Sequence, residues 1–196
     1  MISHKKKFIF VHINKTGGTS IEKALSQYAK PIGKKKHQFL LKECKKKPSK
    51  RPILNNKKDP HYSYFKFAIV RNPWEKIVST YFWRKPLSKW QNISFKKWVM
   101  CSKKPSMLTN LAFYNQLDWI SDRSGNVCVD YIGRFERLQE SFDVICKKIN
   151  IPPQKLPHKN KLKYDHYSSY YDKEIVEFVA THFKKDIDYF GYVYEG

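Results

Sequence analysis

The chain of 196 residues can build a real hydrophobic core, because 41% of its residues are hydrophobic and 16% are aromatic. Its length fits a single domain over residues 1–196, and its composition excludes global disorder. Since it carries neither an apolar run long enough to cross a bilayer nor a recognisable secretory signal, we expect a cytoplasmic protein without a membrane span.

The formal net charge of +22 comes from 39 Lys and Arg residues against 17 Asp and Glu residues. A solvated lysine surface would explain it, and so would a field that attracts nucleic acid, anionic glycans or nucleotide phosphates. The four cysteines are widely spaced and form no CxxC pair, so they predict free thiols rather than a zinc site.

The first predicted element is a buried strand over residues 7–13, where the sequence KFIFVHI is rich in β-formers. A turn with a glycine pair follows, and Thr19 or Ser20 is expected to cap a helix that extends to about Ala29. The polar stretch 34–58 predicts a short helix over residues 37–46 and then an exposed loop.

A second buried strand is predicted over residues 64–70. Asn72 and Pro73 are typical of the start of a helix, whose apolar face would carry Trp74 and Ile77. Further elements complete the pattern: helices over residues 95–101, 108–120 and 138–149, a strand over residues 126–135, a loop over residues 152–171, and a last helix from Asp172 to about Lys185.

This alternation of strands and helices predicts an α/β fold of three layers, similar to P-loop proteins, with a central, mostly parallel sheet flanked by helices. Ligands of such sheets bind beyond the carboxyl ends of the strands. Two turns of this chain fall at such ends, one after the first strand and one after the second. We therefore expect the chemistry at these two turns.

The first turn has the residue types of a phosphate cradle. Glycines let the backbone approach an anion, the following helix directs its N–H groups there, and a lysine and hydroxyls add donors. The pattern departs from a Walker A loop because Lys15 precedes the glycines and no upstream glycine is present, which disfavours an ordinary P-loop NTPase. The candidate phosphate-binding residues are Lys15, Thr16, Gly17, Gly18, Thr19 and Ser20.

The second turn offers Arg71 at the end of a strand and Ser79 two turns into the following helix. A guanidinium presents a planar pair of donors to a phosphate, and a serine hydroxyl adds one more. Taken alone, an ion-paired arginine and a neutral surface serine are the better explanation of these residues. The two turns together favour a ligand with two separate anionic groups.

The two motifs resemble those of a known family. The segment FVHINKTGGTS from Phe10 is similar to the 5′-phosphosulfate loop of sulfotransferases that use 3′-phosphoadenosine 5′-phosphosulfate (PAPS), and FAIVRNPWEKIVSTYF from Phe67 is similar to their 3′-phosphate motif. The likeness is strongest to carbohydrate sulfotransferases, the group with the heparan 2-O and chondroitin enzymes and short bacterial relatives. It continues through YIGRFERL, LPHKN, YYD and DIDYFGY and covers nearly the whole chain.

The resemblance implies transfer of a sulfuryl group from PAPS to an acceptor hydroxyl on a carbohydrate or glycoconjugate, releasing 3′,5′-ADP and needing no metal. It implies that Lys15 contacts the oxygen bridging sulfur and phosphorus, that residues 16–20 hold the 5′-phosphate, and that Arg71 and Ser79 hold the 3′-phosphate. No nucleic-acid partner is expected.

The reaction needs a base for the acceptor hydroxyl. In short family members a histidine follows a basic patch between the two motifs, and His37 has that place here. His61 is the rival, while Glu22 and Glu75 are weaker candidates. His12 lies inside the first strand and is expected to be structural or to line the site.

Several residues and two other functions stay open. Arg134 and Glu136 are interpreted as structural, and Lys159, Lys161 and Lys163 are candidates to close over the donor or meet an anionic acceptor. A nucleotide or small-molecule kinase is the first alternative function, but a magnesium-binding aspartate after a strand is missing. A basic nucleic-acid-binding protein is the second, and it leaves the paired motifs unexplained.

Overall fold

The computed structural model describes residues 1–29, 61–84, 92–101, 114–122, 124–157 and 164–196. Its strands are β1 (Ile2–Ser3), β2 (Phe8–Val11), β3 (Phe65–Val70) and β4 (Tyr131–Arg134). Its helices are α1 (Gly18–Ala24), α2 (Pro73–Arg84), α3 (Phe95–Cys101), α4 (Leu117–Ile120), α5 (Leu138–Lys148), α6 (Lys173–His182) and α7 (Lys184–Phe190). Short 3-10 turns cover Phe135–Arg137 and Tyr167–Tyr170.

The chain divides into two compact units. The first contains Met1–Val70 and Gln116–Lys159, and the second contains Arg71–Asn115 and Asn160–Gly196. The single domain over residues 1–196 stays a prediction. No helix of the described residues is long and apolar enough to cross a membrane.

The sheet of the first unit has the order β1-β2-β3-β4. β1 pairs antiparallel with β2, whereas β2, β3 and β4 are parallel, with Phe10 opposite Phe67 and Phe67 opposite Tyr131. The predicted α/β class, a central and mostly parallel sheet flanked by helices, is confirmed. Parallel pairing brings the carboxyl ends of these three strands to one edge of the sheet.

The core of this unit forms where aromatic side chains of the sheet meet the apolar faces of α1 and α5. The rings of Phe10 and Phe67 stack with their centroids 5.1 Å apart. Ile21 of α1 and Phe142 of α5 belong to the same buried cluster, and neither is exposed. Burying a side chain of this size contributes about 1.5–3 kcal/mol, so these contacts hold both helices on the sheet.

The three predicted strands correspond to the three parallel strands β2, β3 and β4, but each was predicted to be longer than it is. β4 begins only at Tyr131, because Val127 forms an isolated bridge with Ser121 and the amide of Cys128 donates to the Ile120 carbonyl at 2.7 Å. Val127 and Cys128 therefore pair away from the central sheet, and the chain joins it only at Asp130, whose amide donates to the Lys66 carbonyl of β3 at 2.8 Å. β1 was not predicted.

The helix α2 of the second unit begins as predicted. The side-chain oxygen of Asn72 accepts a hydrogen bond from the Trp74 amide at 3.0 Å, and Pro73 is the first helical residue. A second predicted cap is also confirmed, since Asp172 accepts from the Ile175 amide at 3.0 Å at the start of α6. Capping satisfies backbone donors that a helix leaves open at its first turn.

Other helix ends differ from the prediction. α1 ends at Ala24 instead of about Ala29. The described part of the predicted helix 108–120 is helical only over Leu117–Ile120. The predicted last helix is two helices, since α6 ends at His182 and α7 starts at Lys184. The predicted helix over residues 37–46 and the exposed loop predicted after it, up to about residue 58, lie outside the described residues.

Candidate functional site: a glycine loop and an arginine at the ends of two strands

The segment between β2 and α1 turns at two residues with left-handed backbone. Lys15 has φ 64° and Gly17 has φ 80°. Gly17 is the N-cap of α1 without a side-chain cap, and its carbonyl accepts from the Ser20 amide at 3.0 Å. The prediction that Thr19 or Ser20 caps this helix is therefore wrong. Gly17 adopts the left-handed conformation that starts the helix earlier, and both hydroxyl residues lie inside α1.

Neighbouring side chains leave the two glycines no room for a Cβ atom. A Cβ at Gly17 would lie 2.7 Å from a methyl carbon of Leu138, and one at Gly18 would lie 2.2 Å from the ring of His12. Real Cβ atoms do not come this close to other atoms, so these positions need glycine. The loop is packed between His12 at the end of β2 and the start of α5.

The hydroxyls predicted to hold phosphate have different surroundings. The Thr16 hydroxyl is fully buried and donates to the Ile13 carbonyl at 2.9 Å, so its proton stabilises the turn. Thr19 is half-buried, as is Lys15. Ser20 is buried and borders a cavity described below. The Thr16 hydroxyl therefore keeps only acceptor capacity. Thr16 can donate to an anion only through its backbone N–H.

His12 and Glu22 form a buried pair beneath the loop. Their Nδ1 and Oε1 atoms are 2.8 Å apart, and both residues are less than one-tenth exposed. The His12 ring also stacks on Phe10, with centroids 5.6 Å apart. His12 thus has the structural surroundings that the sequence favoured. Glu22, which is buried and hydrogen-bonded to His12, is poorly placed to act as a base.

A cavity of about 530 Å³ opens beside the first turn of α1. It is lined by Ser20, Leu138, Gln139, Asp143, Pro153, Gln154, Lys155, Leu156 and Pro157. The Gln139 amide fixes one wall by donating to Asp143 at 2.8 Å and to the Gln154 carbonyl at 3.1 Å. The buried side-chain nitrogen of Gln154 has no hydrogen-bond partner among the described residues. Sequence reasoning missed this cavity, although its lining includes Leu156 and Pro157, the first two residues of the LPHKN segment.

In the second unit Arg71 directly follows β3 and is only 4% exposed. Its Nη2 atom donates to Glu75 Oε1 at 2.6 Å and to the Tyr164 hydroxyl at 3.0 Å. Burial disfavours the charged guanidinium, but the hydrogen bonds and charges of Glu75 and Tyr164 outweigh it and raise the pKa of Arg71. Arg71 therefore stays a fixed cation. Glu75 is engaged in this ion pair, which makes it a poor base.

Ser79 lies on α2 two turns after Arg71 and is 4% exposed. Its spacing from Glu75 and Phe82 places these three residues on one face of α2. Helical spacing separates Ser79 from the apolar face of Trp74 and Ile77. The sequence did not foresee that α2 would be buried beyond that apolar face, with Ser79 and Lys76 both enclosed.

Of the two histidine candidates for the base, the structure describes His61 but not His37. His61 lies before the amino end of β3 and packs against His4 and Tyr64, with ring centroids 5.3 Å and 5.1 Å apart. The glycine loop follows the carboxyl end of β2, which runs parallel to β3. His61 is therefore at the opposite end of the sheet from Lys15. His37 lies outside the described residues, as do Lys159, Lys161 and Lys163.

Two other residues singled out in the sequence, Arg134 and Glu136, have exposed side chains at the end of β4 and in the following 3-10 turn. The backbone of Arg134 is tied to α5, because its amide donates to the Ser141 hydroxyl at 3.0 Å and its carbonyl accepts from the same hydroxyl at 3.1 Å. Among the described residues no group of His, Cys, Asp or Glu side chains is arranged to hold a metal ion.

A glycine loop that leads from a strand of a mostly parallel sheet into a helix is an arrangement that α/β proteins use to bind phosphate groups. The chain belongs to the Sulfotransferase family, whose model matches residues 1–193. It is therefore a transferase of sulfuryl groups. An uncharacterized protein of Archaeoglobus fulgidus is 36% identical over 91 residues, which make up 46% of this chain and 72% of that relative. No solved structure matches the chain significantly.

Proposed function

We propose that the protein transfers a sulfuryl group from PAPS to a hydroxyl of a carbohydrate. The observation that carries this proposal is the glycine loop, in which Lys15 and Gly17 have left-handed backbone, Leu138 packs against Gly17 and His12 packs against Gly18. Such a rigid loop is already shaped for an anion, so binding costs little ordering. Membership in the Sulfotransferase family directs the choice of anion to a phosphosulfate.

Each part of the donor is assigned to residues with matching chemistry. Lys15 to Ser20 hold the 5′-phosphosulfate, and Arg71 with Ser79 holds the 3′-phosphate, the group that separates PAPS from ATP. The cavity beside Ser20 is assigned to the adenosine, because about 530 Å³ is room enough for a nucleoside. There the Gln154 amide, which lacks a partner among the described residues, would donate to a ring nitrogen of the base.

The proposed reaction is an in-line displacement at sulfur. A base takes the proton of the acceptor hydroxyl while its oxygen forms a bond to sulfur, and the bond from sulfur to the bridging oxygen breaks. Both electrons of that bond stay with 3′,5′-ADP, which leaves. Lys15 neutralises the negative charge that develops on the bridging oxygen, and such a preplaced cation lowers the barrier because it binds the transition state more strongly.

Donor recognition can be tested by titrating 3′,5′-ADP into the protein and measuring heat. We expect saturable binding, and binding of magnesium ATP at least tenfold weaker, because ATP has no 3′-phosphate for Arg71 and Ser79. Lys15→Ala should weaken 3′,5′-ADP binding, whereas Lys173→Ala, the loss of an exposed lysine at the start of α6, should change it little. No heat with 3′,5′-ADP, or tighter binding of ATP or DNA, would contradict the proposal in favour of a kinase or a nucleic-acid-binding protein.

We further propose His37 as the base, since His61 lies at the opposite end of the sheet from the loop. His37→Ala should reduce sulfuryl transfer from PAPS by about 10²–10⁴-fold and leave the affinity for 3′,5′-ADP unchanged. His61→Ala is the matched control and should keep full activity. Full activity of His37→Ala would end this assignment, and loss of activity in His61→Ala would move the role there.

A further inference from the structure

Tyr164 contacts Arg71 of the candidate phosphate site and Phe82 of α2. Its hydroxyl lies 3.0 Å from Nη2 of Arg71, and its ring stacks on Phe82 with centroids 5.2 Å apart and planes inclined by 12°. The hydroxyl contact fixes the polar end of the side chain, and the stacked ring fixes its apolar body. Tyr164 is therefore held in one orientation by contacts within this unit.

These two contacts place Tyr164 along the face of α2 that carries Ser79. Glu75, Ser79 and Phe82 share this face, and helical side chains lean toward the N-terminus. The Phe82 ring therefore lies over the turn that contains Ser79, and Arg71 lies beyond the other end of the face. A side chain that touches both Phe82 and Arg71 runs past Ser79 and ends beside the guanidinium.

The hydrogen-bond chemistry leaves the Tyr164 hydroxyl with a proton to give. A guanidinium can only donate, so the Tyr164 oxygen accepts from Arg71 and its own O–H must find an acceptor elsewhere. None of the hydrogen bonds among the described residues uses that proton. A phosphate oxygen beside Arg71 would be such an acceptor.

The charge balance at Arg71 makes an extra neutral donor useful. The Glu75 carboxylate, 2.6 Å from Nη2, offsets part of the guanidinium charge that would attract a phosphate. A neutral hydroxyl that donates to a phosphate adds affinity for it and, unlike the Glu75 carboxylate, does not repel it. Ser79 supplies only one such donor. The site therefore gains from a second hydroxyl at the guanidinium.

We propose that Tyr164 is a further specificity-determining residue that donates its O–H to the 3′-phosphate of the donor while it accepts from Arg71. This inference rests on the proposed function, in which Arg71 and Ser79 hold that phosphate. Tyr164 is then part of what distinguishes a nucleotide with a 3′-phosphate from one without it.

The test compares Tyr164→Phe with the parent chain by calorimetry, using 3′,5′-ADP and adenosine 5′-phosphate. Phenylalanine keeps the ring that stacks on Phe82 and removes only the hydroxyl. A hydrogen bond to a charged group contributes enough for about a tenfold change in affinity. We expect that loss for 3′,5′-ADP and no change for adenosine 5′-phosphate, which lacks the 3′-phosphate.

Tyr170→Phe is the matched control. Tyr170 also packs on Phe82, with centroids 5.0 Å apart, but its hydroxyl accepts from the Asp165 amide at 3.0 Å. It should leave the ratio of the two affinities at the parent value. Arg71→Ala supplies the reference, because it should lower 3′,5′-ADP affinity without affecting adenosine 5′-phosphate.

The outcomes separate this inference from the proposed function. If Arg71→Ala weakens 3′,5′-ADP selectively but Tyr164→Phe binds it like the parent, Tyr164 is not a phosphate ligand and only this inference fails. An equal loss for both nucleotides in Tyr164→Phe also overturns it. If the parent does not bind 3′,5′-ADP, or if Arg71→Ala does not discriminate between the two nucleotides, the assignment of the 3′-phosphate fails and the inference with it.

Discussion

Gly18 packs against the His12 ring. This contact connects the buried pair of His12 and Glu22 to the candidate binding loop. The His12 ring fills the space beside the Gly18 Cα atom and is itself held by Glu22 at 2.8 Å and by the Phe10 ring. The glycine has ordinary helical dihedrals, so its need is one of space alone. The pair of His12 and Glu22 therefore limits the space available at Gly18 of the loop.

Gly18→Ala should destabilise the protein by about 1–3 kcal/mol, because the new methyl group must displace the His12 ring. The same change made in a His12→Ala background should be neutral or stabilising, since the ring is gone and alanine favours a helix over glycine. The free energy of unfolding in urea measures both effects. An equal cost in the two backgrounds would show that His12 is not what excludes a side chain at position 18.

Residue types single out the candidate site residues, but they do not predict most of the contacts that these residues make. Lys15, the glycine pair and Arg71 stand out because strand ends and glycine turns are visible in the sequence. The ion pair of Arg71 with Glu75 follows from a helical spacing of four residues. Its contact with Tyr164 could not be predicted, because the two residues are 93 positions apart and no periodicity links them.

At the scale of elements, the sequence predicted helix starts that depend on one local side chain. Asn72 and Asp172 cap α2 and α6 with their own oxygens, and a cap is a property of a few adjacent residues. α1 was mispredicted because its start depends on the left-handed backbone of Gly17, which Leu138 and Phe135 enclose from another part of the chain. Tertiary packing there overrides the capping preference of Thr19 and Ser20.

Strand extents show the same division between local and distant causes. β2 and β3 are apolar runs buried on both sides, and such runs are predictable from composition. β1 has only two residues and forms because Ile2 pairs with Ile9. The alternation over residues 126–130 misled the prediction, because the Asp122 carboxylate accepts from the Ser124 and Asn126 amides at 2.9 Å and turns this segment back toward Ser121.

At the scale of the whole molecule, one buried lysine makes stability depend on pH. The net charge of +22 comes from 39 Lys and Arg residues against 17 Asp and Glu residues, and most lysines of the described residues are exposed. Lys76 of α2 differs because it is fully buried. Its ammonium donates to the Tyr114 carbonyl at 3.2 Å and lies 5.1 Å from the centre of the Phe183 ring.

Burial lowers the pKa of Lys76 from 10.5 to about 8, although the charge of Asp186 acts in the opposite direction. Between these two pH values the unfolded chain binds a proton that the folded chain has released. Stability therefore rises with pH in that window, since raising the pH removes a proton mainly from the unfolded state. The gain between pH 8 and pH 10 should be on the order of 2 kcal/mol relative to a chain without this group.

The Lys76→Met, Asp186→Asn variant is the reference for this prediction, because it removes the buried lysine without leaving an aspartate charge behind. Urea unfolding of both proteins at several pH values gives the difference in free energy, and subtraction cancels the tyrosines and cysteines that titrate in both. The parent should gain stability relative to the variant as the pH rises above 8. Parallel curves would mean that Lys76 ionises as easily in the fold as in water, and its burial would then cost the protein nothing.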